Sequence, residues 1–455
     1  MTTEPTPSRH QARRLNRRTF LEQSAAFSGA LAAARLAPGA ARDGGGGRPP
    51  NVVLIISDDQ GWGDYGFMGH PTIRTPRIDR LAGESLVFTR SYVAAPLCCP
   101  SLGAMITGLH PHQSRITSND PPKVAGKGAW PPERLKLRDE VISHIDRVPT
   151  LPRLLRPKGY VSLQTGKWWM GHHTRGGFTH GMTHGDPKRG GRHGDAGLTI
   201  GRAGLQPVVD FLDAAGQKPF FVWYAPFLPH SPHNPPQRLL QKYQDKTASI
   251  HVARYWAMCE WFDETVGQLL DLLDQKRLAE NTLVLYACDN GWIQQPDSGN
   301  FAPRSKRSRF DGGVRTPILV RWPGRVTPRR DDDTVASSID LAPTVLAACG
   351  LKPTPEMQGV NLLDQKALAA RDAVFGAVYT HDAVDIQNPA SSLMWRWCVS
   401  GRWKLCLPHP AHEPDAAAEL YDLKADPHEN HNLAARHPEE VARLQRLIDA
   451  WYKPA

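Results

Sequence analysis

Long apolar runs are missing from these 455 residues. No stretch approaches the roughly 20 consecutive apolar residues that cross a bilayer, so no integral membrane segment is expected. Cysteine is scarce too: seven thiols, an odd number, cannot build the dense framework that replaces a core in small secreted domains. If any bridge forms, Cys398 and Cys406 are the expected pair. Clustered basic residues are also absent. Lys and Arg number 55 against 45 Asp and Glu, a formal net charge of +10, yet they are scattered and no DNA- or RNA-binding signature appears. That balance suits an acidic substrate and gives no reason to expect nucleic acid.

What remains is a globular composition, 40% hydrophobic and 22% charged, long enough for one large domain or two unequal ones. The first 41 residues stand apart. They carry Arg17-Arg18-Thr19-Phe20-Leu21, a short apolar stretch from Ala25 to Ala37 and small residues around Gly39 to Ala41. Twin arginines before a weak apolar core fit a Tat export signal, which makes the Tat translocase a partner and the periplasm or exterior the destination; an N-terminal amphipathic helix is the other reading. Residues 42–50, rich in Gly, Arg and Pro, form a linker.

Asn51-Val-Val-Leu-Ile-Ile-Ser57, Phe220-Phe-Val-Trp-Tyr-Ala225 and Thr282-Leu-Val-Leu-Tyr-Ala287 are continuous apolar runs of strand length, the pattern of parallel strands buried on both faces. Helical spacing lies between them, notably over Ile250 to Gln275, with Glu260, Asp263 and Glu264 expected toward solvent. Strands alternating with helices predict an α/β fold, a large mainly parallel sheet covered by helices on both sides. Two strands run straight into acids, Asp58-Asp59 and Asp289-Asn290, at the carboxyl ends where open α/β sheets keep their sites. An Asp-rich turn looks the same when taken singly. Together the four side chains offer hard oxygen ligands that suit Ca²⁺ or, less well, Mg²⁺, and not zinc.

Ser91 to His112 holds adjacent Cys98 and Cys99, then Pro100-Ser101 and a helix-compatible run to Thr107-Gly108. Cys98 is thus placed at a helix start that favours an anion; a pair of small buried hydrophobes is the alternative. Cys98-Cys99-Pro100-Ser101, Thr107-Gly108 and Pro111-His112 resemble the signature of the formylglycine-dependent sulfatases, within the alkaline-phosphatase-like superfamily. The family's motif arginine is Leu102 here. The resemblance runs from about Asn51 to the chain end. It implies a catalytic domain over 51–350 and a C-terminal α+β subdomain over 351–455, a small antiparallel sheet plus helix with a hairpin turning at Ser400-Gly401.

The resemblance also implies a chemistry. Cys98 is the residue that a formylglycine-generating enzyme oxidises to an aldehyde, whose hydrate attacks sulfur and also ligates the metal. Asp58, Asp59, Asp289 and Asn290 hold Ca²⁺. Lys167, in Thr165-Gly-Lys-Trp-Trp-Met-Gly171, and Lys306, in Lys306-Arg-Ser-Arg-Phe-Asp-Gly-Gly-Val-Arg315 with Asp311 as the motif acid, grip the sulfate; Trp169 stands where many members carry histidine. His230 contacts sulfate, or His233 in its place, and His172, His173 and Arg175 are substrate-facing candidates in a long Gly/His/Arg loop. A lysine in such a loop is ordinarily solvated and contributes little to stability. The substrate implied is a sulfated small molecule or oligosaccharide. Two other readings stay open: a non-catalytic binder of anionic glycans, because Leu102 leaves Cys98 unconverted, and a phosphoester hydrolase on the same scaffold.

Overall fold

The protein is described by a computed structural model over residues 48–124 and 130–454; the twin-arginine segment lies outside the described residues. Strand β1 (Asn51–Ser57) occupies the middle of an eight-stranded sheet. The others are β2 (Leu86–Tyr92), β3 (Val161–Gly166), β4 (His180–Gly181), β5 (Phe220–Ala225), β6 (Thr282–Cys288), β7 (Arg315–Arg321) and β8 (Arg329–Ser337), in the order β4-β3-β5-β1-β6-β7-β2-β8. Neighbours pair in parallel except where β7 joins β6 and β2. The sheet is therefore mainly parallel, as the unbroken apolar runs predict.

Those runs are unbroken because both faces are covered. Val52, Leu54 and Ile56 of β1 pack with Leu102 and Met105 of α2 (Cys98–Thr107) and with Leu341 and Val345 of α6 (Leu341–Ala348). Val53 and Ile55 point the other way. They meet Ile78 of α1 (Pro76–Gly83), Phe211 of α4 (Gln206–Ala215) and Phe262 and Val266 of α5 (Ile250–Gln275). Each such burial is worth about 1.5–3 kcal/mol, so β1 is a firmly anchored place from which to present a site. A further helix, α3 (Pro132–Ser143), flanks the 171–201 loop through Arg138, which donates to the Arg192 carbonyl, and Asp139, which pairs with Arg175.

A second sheet, wholly antiparallel, contains β9 (Val374–Tyr379), β10 (Leu393–Ser400), β11 (Trp403–Pro408) and β12 (Glu419–Asp422), with α7 (Pro438–Trp451) on one face. Its other face, through Trp395, Trp397 and Tyr421, enters the same apolar cluster as β1. The hairpin turns after Ser400 through Gly401, in the left-handed region at φ +56°.

Two expectations are corrected here. Cys398 and Cys406 are free thiols. Register pairs Cys398 with Leu405 and Cys406 with Trp397, an offset of one residue that sends the side chains to opposite faces: Cys398 packs with Leu444 and Ile448, Cys406 with the main core. Glu260 and Asp263 of α5 are buried rather than solvated. Glu260 accepts from Lys242 Nζ and Tyr243 Oη, both at 2.5 Å, and the Asp263 carboxylate accepts from the backbone N–H groups of Arg77 (3.2 Å) and Ile78 (2.7 Å). Helical spacing marks a polar face without telling what covers it.

Asp263 thus supplies the cap that Thr75, at the start of α1, does not. Burial pushes its carboxyl up to about 7. Asp263→Ala should lower stability by about 1–3 kcal/mol, the cost of leaving buried donors unmet, read as a fall in melting temperature; an unchanged melt would show that α1 needs no cap from α5.

Candidate active site

Parallel register brings the acid-bearing strand ends together. Ser57 pairs with Cys288 and Gly166 with Ala225, so Asp58, Asp289 and Lys167 each leave the sheet at its carboxyl edge. Gly166 makes this turn possible: its φ is +73°, and a Cβ there would lie 1.8 Å from the Ala225 carbonyl oxygen. Asp59 also adopts φ +61°, a conformation aspartate tolerates better than most residues, with its N–H donating to Asp289 Oδ1 at 3.0 Å.

Cys98 is the first residue of α2 and points into this cluster. Its Sγ lies 3.0 Å from Lys167 Nζ, 3.3 Å from Lys306 Nζ and 3.8 Å from Asn290 Oδ1. Lys167 donates to Asp58 Oδ1 at 2.5 Å and Asp289 Oδ2 at 3.5 Å. Lys306 grips both oxygens of Asp59, at 2.6 and 2.8 Å, and Asn290 Nδ2 donates to Asp59 Oδ1 at 2.7 Å. His230 Nε2 stands 3.4 Å from Asp59 Oδ2; its Nδ1 is 2.5 Å from the Ser231 carbonyl oxygen and its ring stacks on Phe227. All eight residues singled out as catalytic or metal-holding therefore converge.

Both lysines are buried, Lys167 to 1% exposure and Lys306 to 9%, which corrects the expectation of solvated loop lysines: three carboxylates hold them in. Burial opposes their charge, but Asp58 for Lys167 and Asp59 for Lys306 outweigh it and raise both ammoniums above the ordinary lysine range. Asp59 is likewise disfavoured by burial, yet Lys306, with His230 and Lys167, holds its carboxyl well below the usual value. Asp58 is pushed up, because burial together with Asp289 and Asp59 exceeds the pull of Lys167. Burial drives the Cys98 thiol up to about 11 despite both ammoniums, and it drives His230 well below the ordinary histidine range.

The donor set fits a hard cation. Asp58 Oδ2 is buried without a partner among the described residues. Ligand atoms of Asp58, Asp59, Cys98 and His230 lie within 4.8 Å of one another, and Asp289 shares the Lys167 ammonium with Asp58. Carboxylate and amide oxygens around an orphaned carboxylate oxygen are what Ca²⁺ or Mg²⁺ takes.

The 171–201 loop does not behave as expected. Arg175 pairs with Asp146 (2.7 Å) and Asp139, while His172 and His173 lie against each other with tilted rings and bond to Thr174 and Thr183. These three side chains bind their own loop and the α3 region, and none touches the cluster. The same segment approaches it through His193, which stacks on Trp169 and meets Phe227 edge-on, and through Arg192 over the Trp169 ring. A loop so rich in His and Arg offers no periodicity from which to choose the inward pair. His233 lies beside Tyr255 and Trp292, away from Cys98.

Support residues also escaped the sequence reading. Asn119 Oδ1 accepts from the Cys99 N–H at 2.8 Å and so caps α2. Arg307 N–H donates to the Pro96 carbonyl at 2.9 Å, tying the Lys306 loop to the segment before Cys98. Lys404 of β11, fully buried, reaches Asp311 Oδ1 and Glu429 Oε1, both at 2.8 Å, and Glu429 Oε2 accepts from the Asp311 N–H at 2.6 Å. A lysine in an alternating strand gives no sign that it will be buried.

The sequence profile described as Sulfatase matches residues 50–351, and that of the N-sulphoglucosamine sulphohydrolase C-terminal region matches 299–450. The chain belongs to the sulfatase family. Human N-acetylgalactosamine-6-sulfatase is 32% identical over 358 residues, 69% of this chain and 65% of that protein, so the chain spans just under two thirds of that relative's length. Among solved structures, Ps i-CgsB in complex with k-i-k-neocarrahexaose superposes with a TM-score of 0.70 at 23% identity over 89% of this chain and 93% of that one. The phosphonate monoester hydrolase of Agrobacterium radiobacter superposes at 0.66 with 18% identity over 88% and 95%. The sulfatase fold here is the alkaline-phosphatase-like one.

Lys404→Met would leave the buried Glu429 without its counter-charge and Asp311 with only the more distant Arg315, 3.7 Å away. It should cost about 3–5 kcal/mol, as breaking a buried pair does, with Lys404→Met/Glu429→Gln recovering part of the loss in urea unfolding. A single variant as stable as the parent would remove the triad as a support.

Proposed function

We propose that the protein is a sulfuric ester hydrolase that cleaves a sulfate ester of a sulfated carbohydrate at Cys98, with a divalent cation, Ca²⁺ in preference to Mg²⁺, held by Asp58, Asp59, Asp289 and Asn290. The observation that carries this reading is the placement of Cys98 Sγ within 3.0 and 3.3 Å of two buried ammoniums. A sulfate ester repels nucleophiles through its own anionic oxygens, so a catalyst must neutralise them first. Lys167 and Lys306 are held beside Cys98 by the Asp58 and Asp59 carboxylates and keep their charge for that task.

When Cys98 is present as formylglycine, its hydrate supplies a nucleophilic hydroxyl and a second one for release of sulfate, which neither cysteine nor serine has. The cation adds positive charge at the sulfate oxygens. The Ser231 carbonyl can only accept a hydrogen bond, which assigns the neutral His230 ring its proton on Nδ1 and leaves the Nε2 lone pair facing the cluster. Held neutral by burial, His230 then presents Nε2 as a hydrogen-bond acceptor toward the cluster. Lys306, already protonated toward the Cys98 position, is the group to give one to the leaving alcohol.

The name of the human relative suggests a 6-sulfated N-acetylhexosamine as the sugar. Export through the Tat translocase to the periplasm or exterior rests on Arg17-Arg18. No helix among the described residues is long and apolar enough to cross a membrane.

Ca²⁺ added to chelated protein should raise its melting temperature, the stabilisation reaching about 2.7 kcal/mol at one hundred times Kd. Asp58→Asn and Asp289→Asn should abolish the rise; if both variants respond like the parent, the cation binds elsewhere.

Leu102 is fully buried in the apolar core, one turn along α2 from Cys98, and helix side chains lean back over the preceding turn. Peptide mass spectrometry of protein from its own host should find aldehyde or hydrate on part of Cys98, with Cys99 a thiol throughout. Leu102→Arg should raise both the converted fraction and the turnover of an aryl sulfate, assayed against the aryl phosphate. Sulfate ester hydrolysis with Cys98 unmodified would exclude the formylglycine route, whereas unmodified Cys98 without turnover would make the protein a binder of anionic glycans.

A further inference from the structure

On the His230 side of the cluster lies an open cavity of about 520 Å³ lined by Ser231, Pro232, His233, His251, Arg254 and Asn300. None of these is a carboxylate. Both ring nitrogens of His233 are buried without a hydrogen-bond partner among the described residues, a state that costs about 1–3 kcal/mol unless a ligand meets the group. Arg254 and His251 make no ion pair or hydrogen bond among the described residues either. A cavity that gathers an exposed guanidinium and two imidazoles, with no carboxylate on its wall, is complementary to an anion.

The walls are built in place. His251 and Arg254 sit three apart at the start of α5 and so share one face. Ser249 caps that helix on the Val252 N–H at 3.2 Å and donates to the Pro296 carbonyl, which ties the opposite wall to the helix start. That wall is knit by Gln294 Nε2, bonded to the carbonyls of Ser298 (2.6 Å) and Asn300 (3.2 Å). The cavity also adjoins the reaction centre. His233 follows His230 by three residues, and its ring centroid is 5.8 Å from that of Trp292, over which Lys306 Nζ lies at 5.8 Å. A single indole separates the cavity from a lysine at Cys98.

We propose that this cavity is a second anion subsite, which receives a sulfate or carboxylate on the sugar next to the one that loses its sulfate. The inference rests on the sulfatase reading and makes the preferred substrate a polyanionic oligosaccharide rather than a lone sulfated sugar.

Binding tests it without turnover. Full-length Cys98→Ala protein is titrated calorimetrically with three probes: a 6-sulfated N-acetylhexosamine, a disaccharide joining that sugar to a uronate, and a disaccharide whose neighbouring sugar carries a second sulfate. One disaccharide or both should bind about ten-fold more tightly than the monosaccharide, and Arg254→Ala and His251→Ala should each remove most of that difference. A gain with the uronate alone identifies a carboxylate, and with the second sulfate alone a sulfate. Equal affinity for all three probes, no binding of either disaccharide, or a gain that survives both substitutions would overturn the subsite. Parent protein that binds in this pattern yet hydrolyses no sulfate ester would overturn the sulfatase reading and leave the subsite standing.

Discussion

Two ammoniums buried against three carboxylates at one edge of a sheet constrain everything else in this molecule. Taking such charges out of water is expensive, and mutual attraction repays it only when the geometry is tight. Here it is tight because parallel register fixes where Asp58 and Asp289 leave β1 and β6, and because Gly166 alone permits the turn that aims Lys167. The apolar covering of both sheet faces keeps the dielectric low around the cluster and strengthens each of its contacts.

That cluster explains the second sheet's attachment. Lys306 is useful only if its loop is held, and the holding residues come from elsewhere: Pro96 ahead of α2, Lys404 in β11 and Glu429 beyond β12. The small sheet therefore reaches the site through a buried ion triad and the core through Trp397, which meets Tyr92 at the end of β2. Its contribution is positional, since none of these residues touches Cys98.

The architecture was legible in the sequence because unbroken apolar runs have few alternatives: β1, β5 and α5 stand where the patterns place them, and β6 extends by one residue. The acids of the site were legible as strand ends running into carboxylates, and its lysines only through the resemblance to the sulfatase motifs. What was not legible depends on tertiary partners. Glu260 and Asp263 look like a solvated helix face until α1 and the Lys242-Tyr243 segment cover them; Cys398 and Cys406 look pairable until register turns them apart. Arg175 looked like a substrate contact because its competitors, Asp139 and Asp146, lie about thirty residues earlier in the chain. Lys404 was invisible because burial of a lysine is decided by the two carboxylates brought to it.

Under the proposed function, charge balance sets a preference between oxyanions at the site. Asp58, Asp59 and Asp289 set three negative charges against the two of Lys167 and Lys306, with His230 kept neutral by burial. With a divalent cation bound, the sum is one positive charge. A sulfate monoester carries one negative charge and brings that sum to zero, whereas a phosphate monoester dianion overshoots it inside a water-poor pocket, where surplus charge is costly. Where the family's motif has arginine, Leu102 places an apolar side chain and adds no charge to that sum. Under the proposed sulfatase function one sulfate ester meets that sum at the reacting centre, and any further negative charge on the substrate has to be met outside it, where Arg254 and the unpartnered His233 stand.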